Sequence, residues 1–299
     1  MIPSRQYQIE ATAFYQWRQW AQAQAIAADI SVSEVDWFLQ ALTAITPLAL
    51  RLEGSQPIAS AVSLEQLSNL WQQRVTQRVP VQYLVGKAPW RNFELLVTPD
   101  VLVPRPETEY LIDLAQNAVA ESDLDLATGQ WVDLGTGSGA IAIGLAAAFP
   151  EAKIHAVDYS KAALVVAQQN CQVSQKNSQI QFYQGNWWEP LAHLKGKVAG
   201  MISNPPYIPT EMLQNLQPEV FRHEPHSALD GGQDGLKDIH VLVSESPDYL
   251  VAGGIWLIEL MRGQGTEVAE LLTHNHHYQD IRIINDFSGG DRYVSAKKV

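Results

Sequence analysis

Four residues with the makings of a chemical site, Asn204-Pro205-Pro206-Tyr207, follow the apolar run 198–203 and so leave a predicted strand at its carboxyl end. An amide nitrogen or an exocyclic amino group is a poor nucleophile, because its lone pair is delocalised into the neighbouring carbonyl or ring. A site that alkylates such a nitrogen must accept its N–H bonds and leave the lone pair facing the electrophile. Asn204 brings a side-chain carbonyl that accepts. A residue before proline is pushed to extended geometry and Pro206 has no N–H, so the carbonyls around Pro205 stay free to accept as well. Tyr207 adds a flat ring on which a planar group can stack. The same four residues also suit a plain turn after a strand, since Asn-Pro commonly opens turns.

A second group lies upstream. Gly135-Thr136-Gly137-Ser138-Gly139 follows the candidate strand 131–134, and its glycines let the backbone turn tightly and approach a ligand. Asp158 ends the next strand, about twenty residues on, where a carboxylate can accept from both hydroxyls of a ribose. A dinucleotide site would show Gly-x-Gly-x-x-Gly, with pyrophosphate on the helix amino terminus. Here the spacing is Gly-x-Gly-x-Gly and the turn follows Asp133, an acid that opposes pyrophosphate but suits a sulfonium and an ammonium group. The combination points to S-adenosylmethionine. Trp187 is placed to lie against adenine, with a core tryptophan as the competing reading, and Asn186 to hydrogen-bond an adenine edge.

These residues need a sheet to hold them. From Gln130 the chain alternates strand and helix, with strands expected at 131–134, 153–157, 180–184, 198–203, 255–259, 281–286 and 292–297. Such alternation implies a parallel sheet covered on both faces. The last strand follows the short 288–291 turn, which permits only an antiparallel return. The expected fold is therefore α/β, a seven-stranded mixed sheet with its last strand antiparallel. Ahead of it, 7–28 reads as helix. A second helix starts after Ser33 as cap and runs until Pro47, and a third opens on the capping box of Ser63 and Gln66 and continues through Arg78. Phe14, Trp17, Phe38, Leu39, Leu42, Leu67 and Trp71 supply their apolar faces, either for packing alone or for a partner. Between them and the sheet, 93–97 and 101–103 read as a hairpin around Thr98-Pro99-Asp100. The expected domains are a helical bundle over 1–79, a β-hairpin linker over 80–106 and a catalytic domain over 107–299. Glu107 and Glu109 either complement a helix dipole or, with Arg105, face a ligand cleft.

With 46% hydrophobic and 17% charged residues the chain can bury a full core. Its net charge of −12 works against sequence-independent binding to a polyanion, so no direct nucleic-acid contact is expected. One cysteine, Cys171, rules out a disulfide within the chain and suits a reducing compartment. Arg5 and Glu10 near the amino terminus precede no apolar core of signal-peptide length, and no run reaches a membrane span. His274, His276 and His277 lack a carboxylate or thiol cluster, and no metal is expected there.

On these residues the chain resembles S-adenosylmethionine-dependent methyltransferases with a Rossmann-like domain, and more narrowly the release-factor glutamine methyltransferases. The resemblance covers nearly everything from Pro80 to Val299. It rests on 102–109 (Leu-Val-Pro-Arg-Pro-Glu-Thr-Glu), 132–140, Ala156-Val157-Asp158, 203–208, Glu224-Pro225, 228–232 and Asp234-Gly235-Leu236. It implies methyl transfer to the side-chain amide nitrogen of the glutamine in the Gly-Gly-Gln motif of peptide chain release factors; separately, a cytoplasmic monomer is expected. The resemblance further implies that Gly135, Thr136, Gly137, Ser138, Gly139, Asp158, Asn186, Trp187 and Asn204 contact the cofactor, and that Asn204, Pro205, Pro206 and Tyr207 hold the target amide. The family usually has Asp where Asn186 stands, and a glycine soon after Glu259 where this chain has Leu260-Met261-Arg262-Gly263. The chain also carries Gly231-Gly232-Gln233, read as a coincidence within a turn. A nucleic-acid amino methyltransferase, a methyltransferase of a ribosomal-protein glutamine and a non-catalytic cofactor-binding module are the competing readings.

Overall fold

The computed structural model describes residues 7–299; Arg5 lies outside them. Two compact units divide the chain at Gly86 and Lys87, and the first also takes in Gln217–His223, while the second resumes at Glu224. The division differs from boundaries at 79/80 and 106/107. Val81 is buried in the core of the first unit, so the short helix Val81–Val85 belongs to it.

In the first unit, helices Ala11–Ala27, Val32–Leu42, Pro47–Leu52, Leu64–Gln77 and Val81–Val85 surround a core in which Phe14, Phe38, Leu39, Leu67 and Trp71 are fully buried. Strands β1 (Tyr7–Ile9) and β2 (Ile58–Ser60) pair antiparallel, so the predicted first helix begins four residues later than expected. Ser33 is no cap: the second helix starts at Val32, and the Ser33 hydroxyl meets that of Ser31 at 2.8 Å. That helix ends at Leu42, and Pro47 opens the next one, capped by Thr46, because a proline at the first helical position forfeits no hydrogen bond. The Ser63–Gln66 capping box forms in full, with bonds of 3.1 and 2.8 Å. Buried Arg74 donates to Glu34 (2.8 Å) and to Glu219 (2.7 Å), which ties the Pro218–His223 helix into this unit.

The second unit opens with a hairpin of β3 (Lys87–Trp90) and β4 (Phe93–Leu96), one strand earlier than expected. Its turn places Arg91 at φ 48°, an unusual duty for arginine, held by guanidinium bonds to the Glu109 carbonyl (2.8 Å) and Asp113 (2.9 Å). Residues 101–103 form no strand, and the Val103 N–H goes instead to the Glu224 carboxylate at 3.3 Å.

The sheet follows. Strands β5 (Gln130–Leu134), β6 (Lys153–Asp158), β7 (Ile180–Gln184), β8 (Val198–Ser203), β9 (Leu250–Glu259), β10 (Tyr278–Asn285) and β11 (Asp291–Lys298) lie in the order β10-β11-β9-β8-β5-β6-β7. Only β11 runs antiparallel, inserted between β9 and β10. Alternate residues serve opposite cores. Trp131, Ile154, Ile202 and Leu257 face the Tyr110–Ala120 and Ala140–Ala148 helices, while Val132, Met201, Trp256 and Ile258 face the Lys237–Glu245 and Gly265–Asn275 helices. The chain winds outward from β5 to β7, then returns to start β8 on the other side of β5. At that reversal the carboxyl ends of β5 and β8 part, and ligands of open α/β sheets bind in such a crevice.

The capping geometry gives a paired expectation. Ser63→Ala should lower stability by about 1 kcal/mol, while Ser33→Ala should leave it unchanged, read as midpoints of urea unfolding. Equal losses would mean the box contributes nothing beyond helix propensity.

Candidate active site

A cavity of about 680 Å³ opens at the carboxyl ends of β5, β6 and β8. On its wall stand Gly135 to Ser138, Asp158, Asn186, Trp187, Asn204 and Pro206, joined by Arg105 and Thr108. The sheet reversal thus brings the two predicted groups into one hollow.

The glycine turn is built from beneath. The Gly135 and Thr136 N–H groups both donate to the Val157 carbonyl at 2.9 Å, which folds the turn over the end of β6. Gly135 and Gly137 hold φ of 77° and 53°, and a Cβ on Gly137 would project into open space. The Asp158 carboxylate accepts from Gly137 N and Ser160 N, each at 2.8 Å, and each oxygen keeps a lone-pair position for a hydroxyl. Burial raises its pKa. These features suit a nucleoside such as that of S-adenosylmethionine. Gly139 is the exception: it does not line the cavity, and its Cβ would meet Ala167 at 3.1 Å, so glycine there serves close approach of the Lys161–Val173 helix.

Asp133 sits below the wall rather than on it. It is fully buried, accepts from Thr136 Oγ1 (2.5 Å) through Oδ2 and from Ala142 N (3.0 Å), and its Oδ1 has no hydrogen-bond partner among the described residues. Burial pushes its carboxyl up to about 7. Trp187 does line the cavity, in a left-handed conformation (φ 46°), with its ring 3.5 Å from where a Cβ on Gly135 would stand and its Nε1 donating to Asp238 at 3.3 Å. The Asn186 amide nitrogen donates to Glu189 Oε2 at 3.4 Å, which leaves its carbonyl oxygen to accept, the capacity an aspartate would offer.

At the other end, Asn204 Nδ2 donates to Thr108 Oγ1 (3.1 Å), and Thr108 Oγ1 donates to Glu259 Oε2 (2.7 Å). Tyr207 turns its hydroxyl to Glu259 Oε1 (3.2 Å). It does not line the cavity, so the expected stacking platform is a held ring instead, with its pKa raised by burial and by the Glu259 charge. Pro205 is buried and likewise off the wall; Pro206 is half-buried and on it. Gln264, in the loop after β9, donates to the Tyr207 carbonyl at 3.1 Å. The segment after Glu224 pairs alongside: Ile208 N donates to Leu229 O and Gly231 N to Ile208 O. Both glycines of Gly231-Gly232-Gln233 have backbone reasons, since a Cβ on Gly231 would meet the Gly235 carbonyl at 2.6 Å and Gly232 has φ 86°.

Arg105 lines the cavity with its guanidinium held by buried Glu224 (2.6 Å), which settles its side of the open reading. Thr108 and Glu224 stand in motifs that carry the resemblance and Glu259 beside a departure from it, but the sequence reading gave none of them a role in the site, and it did not single out Gln264. Thr108 and Glu259 are 151 residues apart, so no local spacing links them. The available signal was Glu259 itself, an acid closing an apolar strand.

Asp133 predicts a pH dependence. The folded state keeps its proton to about pH 7, whereas the unfolded chain releases it near 3.8, so its contribution is fully present below the unfolded value and is lost as pH rises through about 7. Between pH 5 and 8 the wild type should lose stability relative to Asp133→Asn in urea unfolding. A difference constant over that range would mean the carboxyl does not titrate there.

The family model for the methyltransferase small domain matches residues 109–233, and that for the PrmC N-terminal domain matches residues 16–86. A release factor glutamine methyltransferase of Synechocystis sp. is 50% identical over 291 residues, covering 97% of each chain. Another, of Gloeobacter violaceus, is 42% identical over 278 residues, covering 93% of this chain and 94% of its own. The solved catalytic domain of hMettl16, in complex with a 3′UTR hairpin, shares the fold: TM-score 0.55 at 10% identity, covering 87% of this chain and 88% of that one. With relatives at 42% and 50% identity matching along nearly its whole length, the chain belongs to the release factor glutamine methyltransferase family.

Proposed function

We propose that this chain transfers the methyl group of S-adenosylmethionine to N5 of the glutamine in the Gly-Gly-Gln motif of peptide chain release factors. The observation that carries it is the Asn204 carboxamide, whose nitrogen is occupied by Thr108 and whose oxygen is thereby left to accept, on the same cavity wall as Asp158 and the glycine turn.

Bound S-adenosylmethionine supplies an electrophilic methyl on a sulfonium. Gly135 to Ser138, Asp158, Asn186 and Trp187 would hold the nucleoside side, with Asp158 accepting from the ribose hydroxyls. Asn204 Oδ1 would accept one N–H of the glutamine amide and, as the resemblance implies, the Pro205 carbonyl would accept the other, which would leave the nitrogen lone pair free to react. Pro206 offers apolar surface to the glutamine stem. Tyr207 anchors the loop. The work is positioning: as the N–C bond forms and the S–C bond breaks, a neutral thioether would leave and the nitrogen would release one proton, with no tuned base required. The enzyme acts as a cytoplasmic monomer on a protein partner. The net charge of −12 supports a protein over a nucleic acid, and among the described residues no helix is long and apolar enough to cross a membrane.

With methyl-labelled S-adenosylmethionine, label should enter a release factor and not its Gly-Gly-Ala variant, a ribosomal protein or DNA. Asn204→Ala should lower kcat about 100-fold, with a much smaller change in cofactor affinity by calorimetry. Label in the Gly-Gly-Ala variant, or equal turnover by Asn204→Ala, would overturn the assignment.

A further inference from the structure

Resting on that reading, we propose that Thr108 and Glu259 are positioning residues that set the polarity of the Asn204 carboxamide, so that its oxygen and not its nitrogen meets the glutamine amide. A carboxamide is nearly symmetric in shape, and a half-turn about its last bond exchanges an acceptor for a donor. In the wrong orientation Asn204 would present N–H to N–H and could hold nothing.

A threonine hydroxyl does not decide between the two orientations, because it both donates and accepts. The decision is made one residue further back. Glu259 is 1% exposed, and its carboxylate oxygens receive Thr108 Oγ1 at 2.7 Å and Tyr207 OH at 3.2 Å. Burial raises the Glu259 pKa, but each of its two oxygens already receives a hydroxyl, so the side chain acts as acceptor and takes the single proton of Thr108. Thr108 Oγ1 is left able only to accept, and it accepts from Asn204 Nδ2 at 3.1 Å. The Asn204 oxygen therefore faces away from Thr108. The same carboxylate fixes Tyr207, so one buried side chain at the end of β9 holds both ends of Asn204-Pro205-Pro206-Tyr207. Thr108 is itself 5% exposed, in the turn that opens the Tyr110–Ala120 helix.

The arrangement is tested by steady-state kinetics on the release factor with calorimetry of S-adenosylmethionine binding. Thr108→Val keeps the shape and removes the acceptor; kcat should fall at least about tenfold while cofactor affinity stays within about twofold. Thr108→Ser, which restores a hydroxyl, should recover most of kcat. Glu259→Gln keeps the shape but brings a donor, and should lower kcat as well. The loss from Thr108→Val should vanish when Asn204 is already alanine, because the threonine acts through it. Unchanged kcat in Thr108→Val, a serine variant as slow as the valine one, or losses that multiply in the double variant would each overturn the proposal. Should Thr108→Val fail to fold, Glu259→Gln and Thr108→Ser decide by the same criteria. A wild type that labels no release factor overturns the parent reading instead.

Discussion

An amide nitrogen presents its lone pair to an electrophile only while its hydrogens are held by acceptors, and an acceptor inside a protein must be kept from becoming a donor. Backbone carbonyls meet that condition by their chemistry, but a side-chain amide meets it only through its surroundings. The Asn204 carboxamide is made dependable by a buried hydroxyl and a buried carboxylate behind it, each of which removes one choice. The order matters, because polarity is defined at the carboxylate and read out at the cavity.

The same device recurs under the cofactor turn. There Thr136 gives its proton to Asp133, as Thr108 gives its own to Glu259, and in both cases the acid closes or nearly closes a strand of the sheet. The strands β5 and β9 are separated by β8, which carries Asn204 at its end. Two threonine–carboxylate pairs thus flank the strand bearing the reactive loop. Ser203 adds a third constraint by donating to the Leu134 carbonyl at 2.6 Å, which locks the end of β8 to the end of β5. The distance between the two halves of the site is therefore set by sheet register, whose Leu134–Ser203 pairing leaves little freedom to the loops.

The sheet was legible in the sequence because its strands announce themselves locally: short runs of the right length, all but the last closed by a glycine, an acid or Asn-Pro. Ser63 with Gln66 was legible for the same reason, three residues apart on one turn. The hairpin was misplaced because its turn uses Arg91 at positive φ, where sequence patterns expect glycine or asparagine, and the bonds that hold it come from Glu109 and Asp113. Tyr207 was misjudged because an aromatic ring near an amide site suggests stacking, while its hydroxyl was claimed by a residue 52 positions on. Most of the residues on the cavity wall were thus readable, Gly139, Pro205 and Tyr207 being off it, and the supports behind the wall were not, since support is a matter of which strand ends lie together. Glu219 makes the same point in the first unit, where it reaches Arg74 across 145 residues of chain.

Asp133, Asp158 and Glu259 all have pKa values raised chiefly by burial, and among the described residues their hydrogen-bond partners are hydroxyls and backbone N–H groups. Replacing any of them with a well-packed apolar residue would relieve a desolvation cost, since buried charge is expensive unless well paired. Their placement is instead explained by what they accept: backbone N–H groups of the glycine turn and hydroxyls of two threonines. The left-handed backbone at Trp187 belongs to the same economy, a strained conformation at the cavity wall carried by the packing around it. Stability is conceded at the rim of the sheet because a loop that must keep acceptors aimed at an empty hollow has no ligand to hold it in shape, and only groups fixed from below can do so before the substrate arrives.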